Sequence, residues 1–187
     1  IPGKYPLTPE SALLENKEGI FYNVVNTRAE PLRHAGLVTS AIWSDVNGDD
    51  WIDLLVTTEW GPVKVYVNHE GVLKDETAAA HLADDSGWYN AIAAGDIDHD
   101  GDIDYVVTNL GLNTKYVATP EKPHLMFYGD LDGSGKPHLV EAAFEHDVLY
   151  PVRGKSCSSN AMPSLRSKFT TFRDFAIAPL NNIYLPS

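Results

Sequence analysis

Two stretches of the sequence repeat each other, and this internal repeat constrains the fold more than any other feature. The first stretch begins at Gly19 and the second at Gly71, and their acidic segments begin at Asp45 and Asp96. The two offsets are 52 and 51 residues, so the register is held across the whole unit. A repeat of roughly 20 to 50 residues is typical of a supersecondary unit that stacks on copies of itself.

The repeated unit is predicted to be made of β-strands. Runs such as "IDLLVTTEW", "VKVYVNHEG" and "IDYVVTNLG" are rich in β-branched and aromatic residues and are bounded by Gly, Asp and Asn. About four short strands in about 50 residues match one blade of a β-propeller, and a β-sandwich is the alternative. The expected fold class is all-β, a partial propeller of about two to three blades.

The repeats divide the chain into five predicted segments. They are a lead-in segment at 1–18, a first blade at 19–70, a second blade at 71–125, a degenerate third repeat at 126–150 and a C-terminal extension at 151–187. In the extension, Leu165, Phe169 and Phe172 recur at helical spacing and Pro179 follows. One amphipathic helix is therefore predicted over about 163–177, with these three side chains facing inward.

The acidic segments hold the candidate metal ligands. In "DIDHDGDID" the side chains at loop positions 1, 3, 5 and 9 are Asp96, Asp98, Asp100 and Asp104, and Asp102 would offer its backbone carbonyl at position 7. In "DVNGDDWID" the same places are held by Asp45, Asn47, Asp49 and Asp53, with Trp51 at position 7. Two like charges about 4 Å apart repel by around 4 kcal/mol at an effective dielectric constant near 20, so a bound cation is expected.

The residue types favour calcium as that cation. Ca²⁺ takes about six to eight oxygen ligands in irregular geometry, whereas Mg²⁺ demands a stricter octahedron and Zn²⁺ prefers nitrogen and sulfur. An acidic hairpin turn that binds nothing is the alternative, because Asp and Asn also favour turns. Gly101 at position 6 permits a positive φ, and Asp50 takes that place in the first loop. His99 at position 4 is expected to face solvent.

An EF-hand begins with the same Asp pattern but requires flanking helices and a Glu at position 12. Position 12 is Val56 in the first loop and Val107 in the second, both inside predicted strands, which excludes the EF-hand there. A third acidic segment begins only 34 residues after the second. Its candidate ligands are Asp130, Asp132 and Ser134, while position 9 is His138 and position 12 is Glu141. This segment is either a third calcium loop or a plain polar turn.

Composition narrows the functional classes further. The formal net charge of −12 argues against a nucleic-acid partner, and no apolar run approaches the roughly 18 residues that span a membrane. No nucleophile elbow or zinc-protease motif occurs, and the single cysteine, Cys157, has no activating partner in the sequence. The chain is therefore not expected to be an enzyme. Four aromatic residues are either core residues or part of a sugar-binding surface: Trp43, Trp60, Trp88 and Tyr89.

The acidic segments "DVNGDDWIDLLV" and "DIDHDGDIDYVV" resemble the core of FG-GAP and VCBS repeats, the units of integrin-α-type calcium-binding β-propellers. The phrases "IPGKYPLTPESALLEN", "GWYNAIAAGD", "NLGLNTKY" and "MPSLRSKF" are similar to bacterial extracellular proteins in which such repeats precede an ASPIC/UnbV domain. The resemblance covers roughly residues 1–178. It implies a secreted or surface-exposed propeller whose loops bind calcium.

These features together predict a non-catalytic calcium-binding module for extracellular binding, adhesion or scaffolding. The alternative is the propeller portion of a carbohydrate-active enzyme such as a polysaccharide lyase. Two to three blades do not close a ring of the usual four to eight. The expected partners are therefore the remaining blades, from the same polypeptide or a neighbouring chain, and a protein or glycan ligand at the cell surface or matrix.

Overall fold

The computed structural model describes residues 5–111, 114 and 116–184, and the chain divides into two compact units, residues 1–111 and 112–187. The elements of the first unit are β1 (Leu14–Lys17), β2 (Ile20–Asn23), α1 (Val25–Arg28), a 3-10 helix (Glu30–His34), β3 (Leu37–Ser44), β4 (Asp53–Gly61), β5 (Lys64–His69), β6 (Val72–Asp75), β7 (Gly87–Gly95) and β8 (Asp104–Asn109). Those of the second are β9 (Leu125–Gly129), β10 (His138–Glu145), β11 (Val148–Pro151), α2 (Lys155–Ala161), α3 (Leu165–Lys168), α4 (Phe172–Ala176) and α5 (Leu180–Ile183).

Every strand pair in the described ranges is antiparallel. The chain is thus mostly β, with antiparallel sheets and a few short helices, which agrees with the predicted all-β class. Within those ranges no helix is long and apolar enough to cross a membrane.

The first unit is organised around β4, which pairs with β3 along one edge and with β5 along the other. Leu54 of β4 lies opposite both Trp43 and Tyr66, and β6 continues the meander beyond β5. The end of β4 pairs with the start of β7, and β7 forms a hairpin with β8. The first two acidic segments therefore connect β3 to β4 and β7 to β8.

The core of this unit lies on one face of the β3–β6 sheet. Leu54, Val56 and Tyr66 point to that face and are buried under residues of α1 and the 3-10 helix, among them Val25 and Leu32. The period-2 alternation of a strand places Leu55 and Thr57 on the opposite face, where both are also buried. Full burial of each Val or Leu side chain contributes roughly 1.5–3 kcal/mol, so this sheet is the stable centre of the unit.

In the second unit, the described residues form a three-stranded sheet in the order β11–β10–β9 and four short helices. The third acidic segment connects β9 to β10. The core of the second unit includes an edge-to-face contact between the rings of Phe169 and Phe175, whose centroids lie 5.5 Å apart. The other buried members are Leu131, Val140, Met162, Leu165, Ala178, Ile183 and Tyr184.

The single helix predicted over about 163–177 is wrong. The segment forms two short helices, α3 and α4, because the Thr171 side chain accepts a hydrogen bond from the Asp174 N–H at 3.1 Å and caps a new helix at Phe172. The change of direction leaves Phe172 68% exposed, whereas Phe175 is buried. Leu165 and Phe169 do face inward, as predicted. The helix α2, which the sequence pattern did not predict, ends at Ala161, and its C-cap residue Met162 comes just before Pro163.

Candidate metal centre

The three acidic segments are hairpin loops of the same register. We name them loop 1 (residues 45–53), loop 2 (96–104) and loop 3 (130–138). In each, the residue before position 1 lies opposite the residue at position 9: Ser44 opposite Asp53, Gly95 opposite Asp104 and Gly129 opposite His138. Loop 3 is therefore built on the same hairpin as the other two, although its flanking sequence differs.

The loops also share an unusual backbone conformation, because positions 4 and 6 have positive φ in all three. The angles are 74° and 67° at Gly48 and Asp50, 65° and 100° at His99 and Gly101, and 75° and 77° at Gly133 and Gly135. The predicted positive φ at position 6 is confirmed. Position 4 was missed, although the glycines at that place in loops 1 and 3 were a signal for it.

This conformation turns backbone N–H groups toward the first aspartate of each loop. The N–H of position 6 donates to Oδ2 of position 1 at 2.9 Å in loop 1 (Asp50 to Asp45), 3.2 Å in loop 2 (Gly101 to Asp96) and 2.8 Å in loop 3 (Gly135 to Asp130). The bond fixes the position-1 carboxylate at the centre of the loop. The other oxygen of that carboxylate is the one whose environment differs between loops.

Loop 2 brings three predicted ligands together. One carboxylate oxygen each from Asp96, Asp98 and Asp104 lies within 4.8 Å of the other two, the only such group of three His, Cys, Asp or Glu side chains among the described residues. Oδ1 of Asp96 is buried and has no hydrogen-bond partner. Asp100 lies outside the group, and its Oδ1 accepts the Asp102 N–H at 2.9 Å. The donors are all oxygen, which is the set that calcium prefers.

In loop 1 the ligand side chains are satisfied by the loop itself. Oδ1 of Asp45 accepts the N–H groups of Asn47, Gly48 and Asp49 at 2.8–3.3 Å. Partial desolvation would raise the pKa of Asp45, but hydrogen bonds from backbone N–H groups, led by that of Asp50, outweigh it and hold the pKa below its ordinary value. The Asn47 side-chain amide donates to Asp49 at 2.9 Å, which holds the two side chains side by side.

The aspartate at position 9 anchors the loop to the sheet. Asp53 is fully buried, and its two oxygens accept the Val46 N–H at 2.9 Å and the Asn68 N–H at 2.7 Å. In loop 2, Asp104 accepts the equivalent Ile97 N–H at 2.9 Å. Sequence reasoning missed Asn68, which also donates through its side chain to the Ile52 carbonyl at 2.9 Å. The available signal was the repeated pattern of "NKEG" at 16–19 and "NHEG" at 68–71.

Loop 3 replaces the position-9 aspartate by His138. The Nε2 atom of His138 lies 3.4 Å from Oδ1 of Asp132, and the Ser164 hydroxyl donates to Oδ2 of Asp132 at 3.4 Å. Hydrogen bonds from Ser134, with the charge of His138 and the Ser164 hydroxyl adding to them, lower the pKa of Asp132. The candidate ligands Asp130, Asp132 and Ser134 thus have protein partners and do not form a group of three like that in loop 2.

Two of the four aromatic residues named above contact each other. The rings of Trp60 and Trp88 are half-buried, tilted by 45° and have centroids 5.4 Å apart. The Tyr89 hydroxyl donates to the Asp85 carbonyl at 2.9 Å, and Trp43 is largely exposed. Trp51, at position 7 of loop 1, has an exposed side chain, so only its backbone carbonyl is a candidate ligand.

The sheets and loops define a repeat protein. In each repeated hairpin an Asp-rich loop of the same conformation joins two antiparallel strands. Residues 45–107 match the family of FG-GAP-like repeats, a span that runs from the first ligand position of loop 1 into β8. No curated protein and no solved structure gives a significant match to the chain. The match supports the FG-GAP repeat family for the part of the chain that contains loops 1 and 2.

Proposed function

We propose that the chain is a non-catalytic, calcium-binding module of β-propeller repeats that serves extracellular binding, adhesion or scaffolding. The observation that carries the proposal is the convergence of carboxylate oxygens from Asp96, Asp98 and Asp104, together with the buried Oδ1 of Asp96, which has no hydrogen-bond partner. Leaving a buried acceptor unpaired costs about 1–3 kcal/mol, and more for a charged group. A cation coordinated by this oxygen would remove both that cost and the repulsion among the three carboxylates.

Two loops are the primary calcium sites in this proposal. In loop 2 the metal would be held by Asp96, Asp98, Asp100 and Asp104 with the Asp102 carbonyl, and in loop 1 by Asp45, Asn47, Asp49 and Asp53 with the Trp51 carbonyl. Bound calcium would supply the positive charge that fastens the two strands of each hairpin, so its binding energy would add to folding. Extracellular calcium modules bind with dissociation constants of roughly 10⁻⁴ to 10⁻³ M, which is why we place this protein outside the cell or on its surface.

Loop 3 separates two versions of the proposal. The close approach of His138 to Asp132 favours a loop 3 that binds no ion, because a protein side chain already lies beside the candidate ligand. The backbone conformation that loop 3 shares with loops 1 and 2 favours a third ion. The first version gives two calcium ions per chain and the second gives three. Isothermal titration with Ca²⁺ on protein freed of metal counts the ions directly.

The wider assignments follow the sequence resemblance. We propose that the antiparallel sheets are blades of a propeller and that the parent protein is of the bacterial ASPIC/UnbV-associated type. Further blades, from the same polypeptide or a neighbouring chain, would complete the ring. The ligand would be a protein or a glycan at the cell surface or matrix. The match over residues 45–107 supports the repeat family that underlies each of these proposals.

One observation favours the second candidate function, a part of a carbohydrate-active enzyme. The indole rings of Trp60 and Trp88 contact each other, and Glu59, which precedes Trp60, lies opposite Trp88 in the β4–β7 pair. The Glu59 carboxylate accepts a hydrogen bond from the Tyr5 hydroxyl at 3.3 Å. Aromatic faces next to a carboxylate are able to stack on and hydrogen-bond a sugar ring. Glycan arrays test for binding, and a turnover assay on any bound glycan separates a lyase from a lectin-like module.

Calcium removal is the decisive test of the main proposal. Thermal unfolding is measured in EDTA and in 5 mM or so of Ca²⁺, a concentration well above the expected dissociation constants. We expect a higher melting temperature in Ca²⁺, with the response reduced in Asp98→Asn and Asp104→Asn. The matched control is Asp84→Asn, an exposed aspartate outside the loops. Equal melting temperatures in EDTA and Ca²⁺ for the unsubstituted protein would show the proposal to be wrong.

A further inference from the structure

The hairpin β1–β2 has the same structure as the hairpin β5–β6, 52 residues later. Both turn through a Glu-Gly pair with positive φ, and in both the Gly N–H donates to an Asn side chain. The equivalent bonds are Gly19 to Asn16 at 2.9 Å and Gly71 to Asn68 at 2.8 Å, followed by Val24 N–H to the Leu13 carbonyl at 2.8 Å and Glu76 N–H to the Val65 carbonyl at 2.9 Å. β1 is therefore the counterpart of β5, and β2 is the counterpart of β6.

The two hairpins differ in what lies beside them. β5 pairs with β4, and Asn68 of β5 fastens loop 1 through Asp53 and Ile52. β1 pairs only with β2 in the described part of the chain, so its outer edge carries backbone groups without a neighbouring strand. An edge of this kind is a template for the addition of another strand.

Exposure of equivalent side chains shows a second difference, on the faces of the two hairpins. Leu14 is 56% exposed whereas its counterpart Tyr66 is fully buried, and Phe21 is 63% exposed whereas its counterpart Leu73 is 4% exposed. Tyr66 and Leu73 are buried in one cluster with residues of α1 and the 3-10 helix, whereas the described residues leave Leu14 and Phe21 largely uncovered. β5 lies between β4 and β6 in its sheet, whereas its counterpart β1 is at an edge of the two-stranded sheet β1–β2.

The strand β8 also has an edge that no strand pairs with among the described residues. This strand follows loop 2 as β4 follows loop 1, but the described residues place no counterpart of β5 beside it. Val106 is 50% exposed whereas its counterpart Leu55 is 5% exposed. Asp104 accepts the Ile97 N–H and lacks the second bond that Asn68 gives to Asp53. Among the described residues of the first unit, the hairpin β7–β8 thus lacks a strand corresponding to β5, and β1 lacks a strand corresponding to β4.

We infer that β1 of one molecule adds to the free edge of β8 of a second copy, which forms a four-stranded sheet in the order β7–β8–β1–β2. The two edges belong to the same unit and are not paired with each other within it, so each molecule offers one edge of each kind. The contact is heterologous, head to tail, and adds molecules in a row or ring. It goes beyond the proposed function, since it follows from strand register and does not depend on calcium or on the ligand.

The pairing of β4 with β5 fixes the register of this contact. Leu55 lies opposite Val65 in that pair, so Val106 of one copy is placed opposite Leu13 of the other. By the same equivalence, the N–H of Asn16 in one copy donates to the carboxylate of Asp104 in the other. Cα atoms across an antiparallel pair lie about 4.5–5.5 Å apart, a distance that a disulfide spans.

Disulfide trapping tests the register. In a Cys157→Ser background, protein with Leu13→Cys is mixed with protein carrying Val106→Cys and oxidised. We expect a cross-linked dimer to form about tenfold faster than in the control mixture of Ile20→Cys with Val106→Cys, because strand pairing raises the effective concentration of the two thiols. Ile20 is a suitable control because it is exposed but lies on β2, away from the proposed contact edge.

Sedimentation equilibrium tests the association itself. The apparent mass is expected to rise above the 20.5 kDa of one chain with increasing concentration, and Val106→Lys is expected to weaken the association about tenfold, since a Lys on an edge strand opposes pairing. Ile97→Lys, an exposed change within loop 2, is the control and is expected to associate normally. A constant mass of one chain with cross-linking no faster than the control overturns the inference. So does a chain with both Leu13→Cys and Val106→Cys that oxidises within the monomer.

Discussion

The backbone N–H of Asn68 donates to Oδ1 of Asp53 at 2.7 Å, so the last ligand position of loop 1 is held by the neighbouring strand as well as by its own loop. Oδ2 of the same carboxylate accepts the Val46 N–H. Because both oxygens have donors inside a buried site, Asp53 organises the hairpin even without a metal.

Asp53→Asn is therefore expected to destabilise the protein in EDTA as well as in calcium. The asparagine amide keeps the shape of the side chain, but its NH₂ group replaces one of the two oxygens that accept backbone N–H groups. Two donors then face each other, and a buried donor without an acceptor costs about 1–3 kcal/mol. Urea unfolding measures the change in the free energy of unfolding. Asp102→Asn, an exposed change in loop 2, is expected to stay within about 0.5 kcal/mol of the unsubstituted protein. An equal effect of the two changes would contradict this role of Asp53.

Asp50→Gly is expected to stabilise loop 1 by about 0.5–1 kcal/mol. Asp50 has a φ of 67°, a left-handed conformation in which an L side chain is strained and glycine is not. The reverse change in loop 2, Gly101→Ala, is expected to cost about 1–2 kcal/mol. A Cβ at Gly101 would meet nothing within 4 Å, so that cost is conformational. Thermal unfolding of both variants checks the opposite signs, and two changes of the same sign would contradict the argument.

Phe175→Ala is expected to destabilise the second unit by about 3–5 kcal/mol, since it removes a buried ring that contacts Phe169. Phe172→Ala is the matched control, because Phe172 lies only three residues away but is mostly exposed. We expect it to change the free energy of unfolding by about 0.5 kcal/mol or less. If the losses measured by denaturant unfolding were reversed, the continuous helix over 163–177 would be correct after all.

Acid is expected to weaken loop 1 in the absence of calcium. The pKa of Asp45 is below its ordinary value of 3.8 in the folded protein, so the folded state favours the carboxylate. Its contribution to stability is present above that ordinary pKa and is lost as the pH falls through the lower, folded value. Unfolding measured between about pH 5 and pH 2 should show this loss, with a smaller pH dependence in Asp45→Asn. An unchanged pH dependence in that variant would contradict the assignment.

Much of the site was predictable because loop chemistry is local. A glycine or Asp at position 6 and oxygen-bearing side chains at positions 1, 3 and 5 specify a tight hairpin between strands, and the structure has that hairpin three times. The all-β class followed from β-branched runs for the same reason. The binding of calcium and the number of blades stay predictions.

The start of α4 also had a local signal in the sequence, the capping pattern Thr171-x-x-Asp174. The helical spacing of Leu165, Phe169 and Phe172 favoured one continuous helix, and the capping signal was therefore missed. Periodicity tests only whether side chains fall on one helical face. It does not detect a change in chain direction between them, so Phe172 was placed inside and Phe175 was overlooked.

The sequence by itself determined the repeat, the loop conformation and the candidate ligands, since each depends on residues within one short segment. Tertiary structure decided which of those ligands meet and which already have partners. Asp96, Asp98 and Asp104 converge, the loop 1 side chains bind their own backbone, and His138 approaches Asp132. It also decided that β5 pairs with β4 as well as β6, whereas its counterpart β1 pairs only with β2 among the residues that the structure describes. Similar turn sequences give hairpins of the same structure, but the strand that pairs with a hairpin comes from elsewhere in the chain or from another molecule.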